Sequence, residues 1–172
     1  MKTVRAPALL LGLLYLCFFG HLLTSSSQLP SRVASHFDDN GRPDGWMSRA
    51  AYLRTMIVLG VAFPLFVPAL FCAARLLPDR FYNVPHHDYW FAPARRAETL
   101  AYMLQQSLWF SSIALGFVMA IQLLVVRANS LAQVHLPTLQ ALALSGGILA
   151  GTLVWAVNLL RHFSSRPRSS AA

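Results

Sequence analysis

Four long stretches without a charged residue constrain this chain more than any other feature. They cover residues 6–23, 55–74, 99–126 and 128–160. A helix of about 20 mostly apolar residues crosses a hydrocarbon core of about 30 Å. Buried helices of a large soluble protein would look similar, but charged residues make up only 12% of this chain, against about 25% in soluble domains. No polar remainder exists to cover four such helices, so the sequence predicts an integral membrane protein.

The expected fold is an all-α bundle of four transmembrane helices in a single domain, residues 1–163. The helices are predicted at about residues 6–25, 50–75, 95–126 and 137–161. Nine Lys and Arg residues fall on one side of this arrangement and five on the other. Because cytoplasmic loops carry the excess of Lys and Arg, both termini are predicted to be cytoplasmic. The loop 28–49 is then extracytoplasmic, the aromatic loop 76–94 is cytoplasmic, and the polar tail 164–172 is expected to be disordered.

The composition also excludes several classes of function. The net charge is +8, but the basic residues are scattered over several loops and not gathered in one patch, so no nucleic-acid partner is expected. No phosphate-binding loop, metalloprotease motif or nucleophile elbow is present, and no span carries a charged residue at its centre. His36 and the aspartates that follow it do not match a calcium-binding loop. We therefore expect no catalytic residue, no metal and no cofactor.

Several side chains suggest how the helices begin and pack. Ser48 is a plausible N-cap of the second helix, and Tyr52 suits the membrane interface. Pro64 and Pro68 are expected to kink that helix, either for packing or to shape a cavity. The third span carries glutamines and serines that are expected to bond to neighbouring helices. They are Gln105, Gln106, Ser107, Ser111, Ser112 and Gln122. Gly147 and Gly151 permit a close helix contact, and no disulfide is expected because Cys17 and Cys72 lie at different depths.

The first loop holds the candidate binding residues. His36, Asp38 and Asp44 are predicted to form a structured turn at the outer membrane surface. Asn40-Gly41 and Asp44-Gly45 are sites where the chain adopts a positive φ at little cost, and the two aspartates can accept hydrogen bonds from backbone amides in such turns. The alternative interpretation is a connector with no role beyond linking two helices.

Two segments carry a resemblance to a known family. The stretch LPSRVASHFDDNGRPDGW begins at Leu29, and the stretch NVPHHDYWFAPARR begins at Asn83. The first resembles the signature of a membrane family known as domain of unknown function 1648, and the second is similar to a cytoplasmic segment of many members. Ala94 stands where those members usually have glutamate. The residues that carry the resemblance are Pro30, His36, Phe37, Gly41, Asp44, Gly45, Asn83, Pro85, Asp88, Tyr89, Trp90, Pro93, Arg95 and Arg96.

The family includes immunity proteins that protect a bacterium against its own secreted killing peptide. The resemblance therefore implies a multi-pass protein of the bacterial cytoplasmic (inner) membrane with an extracytoplasmic sensing loop. Besides the lipid bilayer, the expected partner is an extracytoplasmic peptide or another membrane protein. The leading hypothesis is a non-enzymatic protein that senses or binds this partner through its first loop. The alternative is a small transporter or channel subunit, and the sequence does not define the oligomeric state.

Overall fold

The computed structural model describes residues 4–165, which form four long helices, one short helix and a β-hairpin. The long helices are α1 (Arg5–Ser26), α2 (Arg49–Ala74), α4 (Arg96–Asn129) and α5 (Thr138–Ser164), and α3 (His87–Trp90) is a single turn. All four long helices are long and apolar enough to cross a membrane. The predicted fold class is confirmed, while the orientation in the membrane stays a prediction. The predicted disordered tail lies outside the described residues from position 166 onward.

The first loop contains regular structure that the sequence patterns did not predict. Strands β1 (Arg32–Phe37) and β2 (Pro43–Ser48) pair in antiparallel register and form a two-stranded hairpin between α1 and α2. Ser48 ends β2 and accepts a hydrogen bond from the Ala51 N–H at 3.2 Å, which confirms it as the N-cap of α2. The second loop also differs from expectation, because it holds α3 and a 3-10 turn at Asp79–Phe81.

Helix α4 is the central element of the bundle, since it contacts α1, α2 and α5. Its buried stripe includes Leu115, Val118 and Val125, which pack in one apolar cluster with Phe18 of α1 and Met56 of α2.

Helix α5 is peripheral and buries no residue of its apolar stretch. A Cβ added at Gly146, Gly147 or Gly151 would have no atom of another element within 4 Å. The close helix contact predicted for these glycines is therefore not made among the described residues.

Helix α2 remains α-helical through both of its prolines. Pro64 and Pro68 are buried, and Pro64 cannot donate the backbone hydrogen bond that the carbonyl of Gly60 would accept in a regular helix. The fully buried ring of Phe18 lies directly against Gly60, where any Cβ would clash with it. Because Gly60 has no side chain, the Phe18 ring of α1 can pack directly on the backbone of α2. This contact favours a packing role for this part of the helix.

One polar cluster inside the bundle joins three helices. The Tyr52 hydroxyl donates to Gln122 Oε1 at 2.6 Å, and Gln122 Nε2 donates to the Ser25 hydroxyl at 3.3 Å. The Tyr52 side chain is only 1% exposed, so it faces the interior of the bundle. Its position at the membrane interface stays a prediction. The bonds of Gln122 to Tyr52 on α2 and Ser25 on α1 confirm the prediction for that residue.

The buried serines of α4 behave differently from the prediction. Ser107, Ser111 and Ser112 donate to carbonyls three or four residues earlier in their own helix, at 2.8–2.9 Å. Their hydroxyls thus need no partner on another helix, and the small side chains leave room for close packing. The two cysteines, Cys17 and Cys72, are both free, as predicted.

Candidate binding surface on the hairpin

The most exposed polar pair of the hairpin is His36 on β1 and Asp44 on β2. The His36 Nδ1 atom lies 2.5 Å from Asp44 Oδ1, and the two side chains are 75% and 48% exposed. Both were predicted as binding residues, and the fold brings them together on the outward face. They can offer a ligand an imidazole and a carboxylate in a fixed relative position.

Two irregularities in strand pairing create this arrangement. Ala34 pairs with Trp46 and His36 with Gly45, so one strand has an extra residue at Ser35. The next pair is Phe37 with Pro43, which makes Asp44 an extra residue on the other strand. Such bulges redirect side chains and are frequent next to functional sites. Here they direct Asp44 toward His36 across the hairpin.

Gly45 serves the pair in a way that differs from the prediction. Among the described residues, Gly41 is the glycine with a positive φ, at 76°, while Gly45 does not adopt one. A Cβ at Gly45 would come within 2.7 Å of the His36 Cβ. Gly45 is therefore required for the close cross-strand approach of His36, and the turn conformation predicted for it is wrong.

Asp38, the third predicted binding residue, builds the turn between the strands. Its Oδ1 atom accepts hydrogen bonds from the N–H groups of Asn40 at 2.9 Å and Arg42 at 2.7 Å. Its backbone carbonyl accepts from the Gly41 N–H at 2.9 Å. These bonds are the backbone-capping role predicted for Asp38, and the two from Asn40 and Arg42 both use the Oδ1 atom of the carboxylate. Asp38 thus stabilises the turn of the hairpin. Asp44 instead pairs with His36 and does not cap backbone amides.

Asn129 at the end of α4 fastens the hairpin to the bundle. Its Oδ1 accepts from the Ala34 N–H at 2.8 Å, and its Nδ2 donates to the Ala34 carbonyl at 2.9 Å. The side chain acts as a short neighbouring strand for β1, and both Val33 and Ala34 are fully buried. The sequence patterns did not single out Asn129, and its only signal was a polar residue closing a long apolar helix.

The turn of the hairpin is fixed at a second point. The Gly41 carbonyl accepts a hydrogen bond from the Leu136 N–H at 2.9 Å, in the connection between α4 and α5. Any Cβ at Gly41 would clash with the Leu136 carbonyl, so the close approach requires glycine as well as the positive φ. The backbone of the hairpin is therefore hydrogen-bonded to the rest of the protein at two points, in β1 and in the turn.

Strand β2 also carries two large, partly exposed side chains. Trp46 is 43% exposed and Met47 is 36% exposed, and the Arg32 guanidinium lies 5.8 Å from the centre of the Trp46 ring. Phe37 points the other way and packs on the apolar core. We call the exposed side chains of His36, Asp44, Arg32 and Trp46 the hairpin face. Met47 pairs with Val33 and therefore lies on the other side of the strand pair from Trp46.

The second resemblance segment lies at the opposite end of α4, where it builds a folded aromatic cap. Arg96 Nε contacts both carboxylate oxygens of Asp79, at 2.9 and 3.0 Å. The ring of Phe91 is buried and stacks on Tyr82 and His87, with centroids 4.6 and 4.9 Å apart. This segment thus has a structural core of its own, which the prediction of a plain loop did not include.

Other members of this segment occupy separate places in the cap. Pro93 lies in the turn before α4, and Asn83 and Pro85 line an apolar pocket of about 150 Å³ with Trp155. Asp88 is exposed and contacts His87 at 3.2 Å. Pro30, from the first segment, is exposed beside the buried Leu29.

Hydrogen bonds within the cap change the pKa of His87. Its Nε2 lies 2.8 Å from the Asp79 carbonyl and its Nδ1 lies 3.2 Å from the Asp88 carboxylate. The hydrogen bond to the Asp79 carbonyl, followed by the one to Asp88, raises the pKa of His87 above its usual value of 6.5. Within residues 4–165, no three His, Cys, Asp or Glu side chains gather closely enough to hold a metal ion.

Comparison with known proteins agrees with the first resemblance segment. Residues 13–61 match the family model described as Domain of unknown function (DUF1648). No curated protein and no solved structure matches the chain. The matched residues take in most of α1, the whole hairpin and the first half of α2. Over these residues the chain is similar to the DUF1648 family.

Proposed function

We propose that this protein is a non-enzymatic binding protein of the bacterial cytoplasmic membrane, and that its hairpin face recognises an extracytoplasmic partner. The observation that carries the proposal is the exposed pair of His36 and Asp44. It lies on a hairpin whose backbone is hydrogen-bonded to Asn129 and Leu136. The partner would be a peptide or another membrane protein. The bacterial location rests on the family resemblance, and the outward orientation rests on the distribution of Lys and Arg.

The way in which the hairpin is held supports a binding role. Its fastening uses the backbone of Ala34 and Gly41 together with the side chain of Asn129. None of these contacts uses the side chains of the hairpin face, which remain available to a partner. A surface that is already ordered loses little conformational entropy on binding, and this favours affinity.

The composition of the hairpin face is suited to protein recognition. Trp and Arg are enriched among the residues that dominate binding energy at protein interfaces, and Trp46 and Arg32 lie next to each other here. His36 and Asp44 add groups that select a partner by hydrogen bonds and charge. In contrast, the buried polar groups of Tyr52 and Gln122 bond to each other, which gives less support to a transport path through the bundle.

Site-specific photo-crosslinking in living cells tests this proposal. A photoreactive phenylalanine derivative in place of Trp46 should yield a discrete adduct with a partner. Replacing His36 by Ala or Asp44 by Asn should abolish the adduct at unchanged protein abundance, because one exposed side chain costs no more than about 0.5 kcal/mol of stability. Asp39→Asn makes the same chemical change on an exposed residue of the same hairpin, outside the pair, and should leave the adduct intact.

The proposal fails if adduct yield at position 46 is the same in the His36→Ala and Asp44→Asn variants as in the unchanged chain. It also fails if Asp39→Asn lowers the yield as much as Asp44→Asn does. Either result would mean that the hairpin is a connector and not a recognition surface.

A further inference from the structure

A cleft lies at the end of α4 that is remote from the hairpin. Helix α4 has 34 residues, so at about 1.5 Å per residue the two ends are about 50 Å apart. The volume of the cleft is about 320 Å³, and it is bounded by α3, the start of α4 and the end of α5. The walls are aromatic, from Tyr89, Trp90, Tyr102 and His162. Nothing in the sequence patterns assigned a role to this place.

The aromatic walls are firmly positioned. The His162 ring lies between Trp90 and Tyr102, with centroid distances of 4.8 and 3.7 Å. Trp90 Nε1 donates to the Phe163 carbonyl at 3.0 Å, and the Thr99 hydroxyl donates to the Trp90 carbonyl at 2.7 Å. Three helices thus hold the rings in place and keep the cleft open.

Two charged groups of opposite sign line the same cleft. The Arg95 guanidinium lies 4.1 Å from the centre of the Tyr89 ring, and Glu98 follows three residues later, on the same side of the helix start. Neither residue forms a salt bridge within residues 4–165, whereas the neighbouring Arg96 is paired with Asp79. The cleft therefore offers one cation and one carboxylate beside aromatic faces.

We propose that this cleft binds the headgroup of a zwitterionic phospholipid that carries a primary ammonium group. Arg95 contacts the phosphate, since a guanidinium forms strong charge-assisted hydrogen bonds with phosphate oxygens. The ammonium group lies at Glu98 and against the aromatic faces, which attract cations. The charges of the cleft and of this headgroup are complementary, with one group of each sign on both.

The surroundings of the cleft favour a membrane lipid over a free headgroup. The cleft lies at the ends of two helices that are apolar enough to span the bilayer. Two turns before His162, the surface of α5 is apolar and open, with Val154 60% exposed. Acyl chains can run along this surface while the headgroup occupies the cleft. The proposal does not depend on the function assigned to the hairpin face.

Native mass spectrometry of the full-length protein, purified in detergent, provides the test. Titration with phosphatidylethanolamine and phosphatidylglycerol should show binding that is about tenfold tighter for the former, the equivalent of one charge-assisted hydrogen bond. Arg95→Gln should weaken both lipids, since both carry the phosphate. Glu98→Gln should remove the preference for phosphatidylethanolamine and leave phosphatidylglycerol unchanged.

Arg80→Gln is the matched control for Arg95→Gln, because the Arg80 guanidinium also lies on an aromatic ring of the cap, 5.2 Å from the centre of Phe81, but does not line the cleft. It should change neither affinity. Equal binding of the two lipids by the unchanged protein, or a preference that survives Glu98→Gln, would overturn the proposal. If soluble phosphoethanolamine bound as tightly as phosphatidylethanolamine, the proposal that the ligand is a membrane lipid would be wrong.

Discussion

The two ends of α4 are built in different ways, and the difference explains what each end can do. At the hairpin end, the hydrogen bonds are made to the backbone of the hairpin, by the Asn129 side chain on Ala34 and by the Leu136 N–H on Gly41. At the aromatic cap, the contacts are made through side chains, with Trp90 on His162 and Arg96 on Asp79. The first arrangement leaves side chains facing outward, and the second turns them inward around a cleft.

The bundle thus has two different surfaces, the hairpin face at one end of α4 and the cleft of the aromatic cap at the other. A hairpin fastened by its backbone can vary its outward side chains without losing its position. A cap fastened by its side chains cannot, because the same rings form both the contact and the cleft wall. Substitutions at the cap should therefore cost stability, while substitutions on the hairpin face should change binding only.

The largest expected effect comes from Trp90→Ala in the aromatic cap. This change removes the stacking on His162 and the hydrogen bond to the Phe163 carbonyl. We expect a loss of about 2–3 kcal/mol in the free energy of unfolding, somewhat less than for a fully buried Trp. Hydrogen exchange should accelerate at the end of α5 and remain unchanged in the hairpin.

Trp46→Ala is the control for that prediction at the other end. Trp46 is exposed, so its loss should change stability by no more than about 0.5 kcal/mol. Equal losses for the two tryptophans, measured by unfolding in mixed micelles, would show that the two ends do not differ in the way described.

A smaller, local effect is expected for Asn129→Ala. The Ala34 N–H and carbonyl would both lose their partner, at a cost of about 1–3 kcal/mol for polar groups left unpaired in a buried position. Hydrogen exchange should increase in β1 and not in the aromatic cap. Asn158→Ala, at an exposed position of α5, should change neither region, and faster exchange in the cap of the Asn129 variant would argue against independent ends.

The smallest expected effect is a dependence of the cap on pH through His87. The pKa of His87 is higher in the folded protein than its ordinary value of 6.5. Its contribution to stability is therefore complete below that value and is lost as the pH rises through the raised pKa. Thermal unfolding at about pH 5.5 and pH 8.5 should show His87→Gln less stable than the unchanged protein at the lower pH only. A difference of the same size at both pH values would contradict this role.

Much of the fold follows from local sequence patterns, while the candidate site does not. The four spans follow from uncharged segments, the N-cap from Ser48 before an apolar run, and the turn from Gly41. The hairpin was not predicted because the extra residue at Ser35 breaks the alternation of apolar and polar residues that is typical of a strand such as β1. The hydrogen bonds between Asn129 and Ala34 join residues that are 95 positions apart, and no local sequence pattern predicts such a contact.

The residues predicted as one binding group illustrate the same limit. His36, Asp38 and Asp44 are close in sequence, yet strand pairing assigns Asp38 to the turn and only the other two to the hairpin face. Tyrosine is a residue type common at membrane interfaces, but the Tyr52 side chain bonds to Gln122 and is buried inside the bundle. Which face of a helix or strand a residue occupies depends on neighbours that are distant in the chain.

The most direct test of this arrangement is whether the hairpin and the aromatic cap lie on opposite sides of the membrane. Single cysteines introduced by Asn40→Cys and Arg80→Cys, in a chain whose Cys17 and Cys72 are replaced by serine, would report each end to a membrane-impermeant maleimide. We expect labelling at position 40 in intact cells and at position 80 only after the membrane is opened. Labelling of position 80 in intact cells, with position 40 protected, would contradict the proposed orientation.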